Sequence, residues 1–129
     1  MTISAVLIDS REPDWCKQLR FGGAPVADTM LDFGDVHLMM EDGTTLVIER
    51  KTPTDLLGSI ADGRILTQAM GIKSLSQWAY VVITDELSRG PNMKTFADGK
   101  QTGWGWAAVQ GAILSIQELG VFVTFAGGD

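Results

Sequence analysis

The residues of this chain that could do chemistry are concentrated between Gly34 and Lys51. Asp35 opens one short apolar run, and Glu49 and Lys51 close the next one. On a β-strand, residues two apart point the same way, so Glu49 and Lys51 share a face and Arg50 points away from it. Two carboxylates beside a lysine form a site for a hard cation that carries a water molecule. These residue types therefore predict a metal-dependent hydrolytic centre.

A predicted β-hairpin would bring these groups together. Residues 36–40 and 44–50 are apolar-rich runs on either side of Asp42-Gly43. Asp-Gly between two such runs is a strong hairpin signal, because glycine accepts the positive φ of a tight turn. If this turn sets the register, the open ends of the two strands meet and Asp35 lies near Glu49.

Phosphodiester hydrolysis is the chemistry that suits such a site. Magnesium takes oxygen ligands, neutralises charge on the phosphorane and lowers the pKa of a bound water. A lysine can orient that water or stabilise the transition state. Spacing alone leaves a structural alternative open, because charged residues at a strand end are commonly solvated and an aspartate before a strand is often a turn residue. Asp55, taken alone, is typical of a helix start.

The elements expected to position the site alternate between strands and helices. Strands are predicted at residues 3–8, 28–32, 36–40, 44–50, 79–84 and 121–125, and helices at 13–20, from 53 through 70 with breaks at Gly58 and Gly63, and at 103–119. Residues 85–102 are polar and rich in glycine and proline, which predicts a long loop. The order β-α-β-β-β-α-β-α-β predicts an α/β fold, a three-layer α/β/α sandwich with a mixed central sheet.

The length and composition of the chain exclude several classes of protein. The chain has 129 residues, which predicts a single domain over residues 1–129. One cysteine and one histidine exclude a disulfide scaffold and a zinc finger. No apolar run reaches the length of a membrane span, and the N-terminus lacks the pattern of a signal peptide. We therefore expect an intracellular, cytoplasmic protein with no membrane partner. The net charge of −6 lowers the expectation of nucleic-acid binding.

A family resemblance joins these motifs. Gly34-Asp35, then Glu49-Arg50-Lys51 and Asp55, resembles the GD…ERKxxxD signature of the XPF/Mus structure-specific endonucleases. Three further segments resemble motifs of the family and occur in the same order. Ile8-Asp9-Ser10-Arg11-Glu12 resembles its first-strand D-x-R-E motif, and Gly63-Arg64 with Gln68 resembles its GR…Q helix. Residues 112–125 resemble its closing helix and strand. The resemblance thus spans nearly the whole chain. The sequence departs from the family's pattern at Val36, where an aromatic residue is usual.

The resemblance implies a restriction-endonuclease-like fold of the PD-(D/E)XK class and Mg²⁺-dependent cleavage of branched, flapped or forked DNA, with Mn²⁺ as a substitute. By motif position, the resemblance implies that Asp35, Glu49 and Asp9 bind the metal and that Lys51 acts on the attacking water. It places Arg50 in the catalytic group, where it supports the phosphate or the local fold. Substrate binding is implied for Arg11, Arg64 and Gln68, and support of the site for Glu12 and Asp55. From the sequence we expect no helix-hairpin-helix domain of the kind that commonly follows the nuclease domain in this family. A role in DNA repair or recombination and a prokaryotic or viral origin are expected.

Two features allow more than one interpretation. His37 shares strand parity with Asp35, but we favour an ordinary strand histidine with a hydrogen bond at the sheet surface. The helix at residues 104–119 is apolar on nearly all sides, which favours a homodimer or heterodimer with Trp104 or Trp106 as an anchor. Two rival functions stay open: a PD-(D/E)XK nuclease with another substrate, and a catalytically silent module that helps a partner nuclease.

Overall fold

A six-stranded mixed β-sheet forms the centre of the computed structural model, which describes residues 2–127. These residues contain nine strands and four α-helices: β1 Ile3–Asp9, α1 Asp14–Lys17, β2 Val26–Thr29, β3 Val36–Met40, β4 Thr45–Lys51, α2 Pro53–Ala61, α3 Arg64–Leu75, β5 Trp78–Thr84, β6 Leu87–Arg89, β7 Lys94–Ala97, β8 Lys100–Gly105, α4 Trp106–Glu118 and β9 Phe122–Gly127. The central sheet has the order β2-β1-β3-β4-β5-β9. β3 runs antiparallel to both of its neighbours, and the other pairs are parallel. The predicted mixed α/β fold is confirmed.

The two faces of the sheet are covered unequally. Helices α2, α3 and α4 cover one face, where Val47, Val81 and Ile116 belong to the main core. The opposite face carries a smaller core of Val6, Ile8 and Val36, beside which the short helix α1 packs through its buried Cys16. The three layers are therefore present, but the layer built around α1 is thin. No helix within residues 2–127 is both long and apolar enough to cross a membrane.

The predicted break in the middle helix separates α2 from α3. Thr52 caps α2, since its side-chain oxygen accepts a hydrogen bond of 3.2 Å from the Asp55 N–H, and Pro53 occupies the first turn. Gly63 adopts a φ of 78° between the two helices, a left-handed conformation that glycine accepts without steric cost. Gly58 lies inside α2 and does not interrupt it. The chain therefore turns once here, and α3 follows in a new direction.

The predicted long loop at residues 85–102 is wrong. Strands β6, β7 and β8 form a separate three-stranded antiparallel sheet there, in which Leu87 and Ala97 pack into the main core. Each strand has only three to six residues, so none is long enough to show a periodicity among the polar residues. Three other elements differ clearly in their bounds. The strand predicted at 28–32 is β2, and the helix predicted at 13–20 has only the four residues of α1. The helix predicted at 103–119 is α4, because residues 103–105, with Trp104, belong to β8.

Candidate active site

The β3–β4 hairpin sets the geometry of the site. Its register pairs Val36 with Ile48, and one residue earlier the Asp35 N–H donates a hydrogen bond of 2.7 Å to the Ile48 carbonyl. The carboxylate of Asp35 in turn accepts a hydrogen bond of 2.7 Å from the Arg50 N–H. The predicted register is confirmed, and it places Asp35 beside Glu49.

These two carboxylates line a cavity of about 320 Å³ where the central strands β3 and β4 begin and end. The residues around it are Asp9, Arg11, Glu12, Leu31, Asp32, Phe33, Gly34, Asp35, Glu49 and Gln68. Six of the residues predicted from the sequence thus meet at one cavity: Asp9, Arg11, Glu12, Asp35, Glu49 and Gln68. Lys51, Arg50, Asp55 and Arg64 are not among its lining residues.

Burial and proximity perturb both central carboxyl groups. Burial, and then the charge of Glu49, raise the pKa of Asp35 to about 7. Burial also raises the pKa of Glu49, and Lys51 acts in the opposite direction. Two carboxylates held together in a poorly solvated site cannot both ionise without a compensating cation. This electrostatic arrangement is that of a site prepared to receive positive charge.

Asp9 has a different environment from the other two carboxylates. Burial acts to raise its pKa, but hydrogen bonds and charge from Arg11 outweigh this effect, so the pKa of Asp9 is lowered. The Arg11 guanidinium donates to both Asp9 oxygens, at 2.8 Å in its shortest contact, and also to the Leu31 carbonyl at 2.7 Å. Asp9 is therefore ionised and already paired with a cation.

Lys51 lies on the buried side of β4, on the same face as Glu49. Only 6% of Lys51 is exposed, and its Nζ donates a hydrogen bond of 2.9 Å to the hydroxyl of Ser59 on α2. Ser59 is itself fully buried. Because an unpaired ammonium group in this position would be costly, Ser59 holds the lysine in place. The sequence prediction missed Ser59, although a polar residue on the same helical face as Leu56 was a signal that could have identified it.

Arg50 points to the opposite face of the sheet, as its strand parity predicted. Its Nε donates a hydrogen bond of 2.7 Å to Glu12, and its guanidinium lies 5.4 Å from the centroid of the Trp15 ring. The Glu12 side chain is 9% exposed and that of Arg50 21%. This partly buried pair fixes the β1–α1 connection to β4 next to the cavity.

The remaining predicted residues lie outside the cavity. Asp55 is exposed in the first turn of α2, and Arg64 is bonded to Asp62 at 2.5 Å on the surface. His37 is half-buried, and its Nε2 lies 2.9 Å from the Phe33 carbonyl oxygen. The favoured interpretation of His37 as a hydrogen-bonded strand histidine is confirmed. Of the three arginines that the resemblance assigns to the phosphate, the local fold or the substrate, namely Arg11, Arg50 and Arg64, Arg11 alone lines the cavity.

The donor chemistry of the cavity fits a hard divalent cation only in part. Asp35 and Glu49 offer the carboxylate oxygens that magnesium and manganese prefer. Within residues 2–127, no three His, Cys, Asp or Glu side chains converge closely enough to form a complete metal cluster. The third predicted ligand, Asp9, is turned onto Arg11. Two protein carboxylates would hold the ion, and its other positions would be open to water and phosphate oxygens.

Comparison with known proteins identifies the fold and the family. The family model described as the ERCC4 domain matches residues 8–127. XPF from Aeropyrum pernix matches with a TM-score of 0.68 at 21% identity, over 97% of this chain and 54% of that structure. The structure of XPF from the same organism in complex with DNA matches with a TM-score of 0.65 at 22% identity, over 95% and 56%. The chain thus spans about half the length of these structures.

These structural matches show the fold, and the match to the family model shows the family to which the chain belongs. No curated protein sequence matches the chain significantly. The ERCC4 model nevertheless covers nearly the whole chain, and three of the motifs that resemble the XPF/Mus endonucleases contribute residues to the cavity, among them Asp9, Asp35 and Gln68. The chain therefore belongs to the ERCC4 domain family and has the fold of an XPF-type nuclease domain.

Proposed function

We propose that the protein is a metal-dependent endonuclease that hydrolyses DNA phosphodiester bonds. Membership of the ERCC4 family supports a DNA endonuclease. The observation that carries the proposal is the convergence of Asp35 and Glu49 in one cavity, where burial raises the pKa of both. A protein gains nothing in stability by burying two adjacent carboxylates, so the arrangement supports a functional site.

In this proposal the chain's own residues bind and orient the reacting groups. Asp35 and Glu49 hold one Mg²⁺ or Mn²⁺, which when bound supplies positive charge at the scissile phosphate and activates water. Lys51, fixed by Ser59, directs its ammonium charge toward this cluster of negative groups and orients the attacking water. We assign Asp9 as a further carboxylate for the cation, which requires its ion pair with Arg11 to open. Arg11 contacts the DNA backbone from the cavity wall, and Gln68 contacts the substrate there.

We propose branched, flapped or forked DNA as the substrate and DNA repair or recombination as the setting. The structure of XPF from Aeropyrum pernix in complex with DNA supports DNA as the partner of this fold. The net charge of −6 opposes DNA binding over most of the surface. Binding through a small number of phosphate contacts therefore predicts weak affinity and an activity that falls steeply with salt.

Cleavage of labelled DNA tests the proposed function. Flap, fork, duplex and single-stranded DNA are incubated with Mg²⁺ or Mn²⁺ and with wild type, Asp35→Ala or Glu49→Ala. Asp42→Ala is the matched control, because Asp42 is an exposed carboxylate in the turn of the same hairpin. We expect metal-dependent cutting that both site variants lose and the control retains. A folded wild type that cuts none of these substrates would instead support a silent, partner-dependent module.

We further propose that the chain forms a homodimer or heterodimer through α4, which spans Trp106–Glu118 and leaves Trp104 in β8. Trp104 is half-buried against the main core, and Trp106 is half-buried as well. Leu114 is the large apolar side chain of α4 with the greatest exposure, 58%, and the small residues Ala107 and Gly111 share the exposed surface of the helix. Such a surface permits close approach of a second helix, with Leu114 as a better anchor than either tryptophan.

Light scattering at micromolar concentration tests the dimer. Wild type is expected to give twice the monomer mass, and Leu114→Arg the monomer mass. Gln18→Arg, which introduces the same charge at an exposed position outside α4, controls for the charge itself. A monomeric wild type would exclude a homodimer of this chain.

A further inference from the structure

Phe33 is an aromatic side chain at the edge of the catalytic cavity that no step of the proposed reaction uses. It lines the cavity together with Asp35 and Glu49, and 42% of its surface is exposed. A large apolar side chain normally gains stability by burial. An aromatic ring that stays half-exposed beside a reaction centre is a candidate for contact with the substrate.

The position of this ring is fixed by the surrounding structure. The ring packs directly on the backbone of α3 at Gly71, where a Cβ atom would lie 2.2 Å from Phe33 Cδ1. On the other side, His37 Nε2 donates a hydrogen bond of 2.9 Å to the Phe33 carbonyl oxygen. Because both the ring and the backbone of Phe33 are held in place, this side chain loses little conformational entropy when it contacts a substrate.

An unsatisfied polar atom lies in the same part of the cavity. The side-chain Oε1 of Gln68 is buried and has no hydrogen-bond partner among the described residues, although buried polar atoms nearly always have one. Gln68 lines the cavity and lies three residues before Gly71 on α3, so both occupy one face of that helix. An aromatic ring packed on α3 and an unpartnered amide oxygen carried by α3 therefore line the same cavity as the two carboxylates.

We propose that Phe33 stacks on an unpaired nucleobase next to the scissile phosphate and that the amide of Gln68 contacts the edge of this base. The inference rests on the proposed function, since it places a base of the substrate in the cavity proposed to take the scissile phosphate. Aromatic rings stack on any base of single-stranded nucleic acid. In a continuous duplex each base is already stacked on its neighbours and is not available. Phe33 thus favours DNA with unpaired nucleotides at the cleavage point.

Fluorescence of 2-aminopurine tests this contact without requiring cleavage. Flap DNA carries the fluorescent base at each of the three unpaired nucleotides flanking the junction in turn, and a duplex carries it at a paired position. The protein is titrated in EDTA, which prevents metal-dependent hydrolysis. Wild type is expected to quench one flap position strongly and the paired position weakly. Phe33→Tyr should keep the quenching, whereas Phe33→Leu should abolish it and weaken flap binding about tenfold without changing duplex binding.

Leu66→Ala is the matched control. Leu66 is 43% exposed, much as Phe33 is, and lies on α3, the helix against which the Phe33 ring packs, but it does not line the cavity. The control should behave as wild type. Absence of quenching in wild type, or equal quenching by wild type and Phe33→Leu, would overturn the inference. Cleavage in Mg²⁺ is measured in parallel. A wild type that cuts flaps but shows no dependence on Phe33 refutes only the base contact, and quenching that depends on Phe33 without cutting refutes only the proposed nuclease activity.

Discussion

Replacing Asp35 by asparagine should stabilise the metal-free protein while abolishing its activity. In the folded chain, burial and the charge of Glu49 raise the pKa of Asp35 from 3.8 to about 7. At 1.36 kcal/mol per unit, this difference corresponds to roughly 4 kcal/mol of stability lost when Asp35 ionises. Asparagine carries no charge, and its oxygen can still accept the hydrogen bond from the Arg50 N–H. We therefore expect Asp35→Asn to raise the free energy of unfolding at pH 8 by about 2–4 kcal/mol.

The effect should depend on pH in a defined direction. Because its pKa is higher in the folded chain, the Asp35 carboxyl binds more protons there than in the unfolded chain between pH 3.8 and about 7. The stability of wild type relative to Asp35→Asn therefore falls as pH rises through this window and is constant above it. Below pH 3.8 Asp35 is protonated in both states, and the advantage of the variant should vanish.

Urea denaturation in EDTA at pH 4, 6 and 8 measures these free energies. Asp42→Asn is the control, because hydrogen bonds from Thr44 lower the pKa of that exposed carboxylate and its replacement should bring no gain. Added Mg²⁺ should stabilise wild type at pH 8 but not Asp35→Asn. If Asp35→Asn is no more stable than wild type at pH 8 without metal, the charge of Asp35 is not desolvated, and the argument for a prepared cation site fails.

Three further substitutions test other parts of the structure. Ser59→Ala leaves the buried Lys51 ammonium without its hydrogen bond. It should lower the free energy of unfolding, measured by urea denaturation, by about 1–3 kcal/mol and remove most of the cleavage rate. Unchanged stability would contradict the role of Ser59. Glu12→Gln weakens the partly buried pair with Arg50 and should lower the unfolding free energy by about 1–3 kcal/mol, an effect that high salt should not reproduce in wild type. Gly71→Ala forces a methyl group into the aromatic ring packed on α3, so thermal unfolding should show a loss of about 1–3 kcal/mol; a neutral result would mean that the ring moves freely.

The hairpin that carries the site could be predicted from the sequence because its signals are local. The turn at Asp42-Gly43 and the alternation of the two strands determine which residues pair, and pairing determines that Asp35 meets Glu49. Strand parity likewise separated Arg50 from Lys51. The succession of strands and helices along the chain, and with it the mixed central sheet, followed from the same periodicities, whereas the order of the strands within the sheet did not. The strands β6, β7 and β8 could not be predicted, since each is stabilised by its partners and by contacts of Leu87 and Ala97 with the core.

The sequence by itself therefore determined the fold class, the family and the residues that could act as carboxylate and lysine groups. Only the tertiary structure decided which of those residues are buried and which are paired with an opposite charge. Asp9 is paired with Arg11, whereas Asp35 and Glu49 are desolvated together. Phe33 is held at the cavity by Gly71, which is distant in sequence. The physical reason is that burial, charge pairing and close packing depend on which segments meet in space, and no local pattern of residue types records those distances.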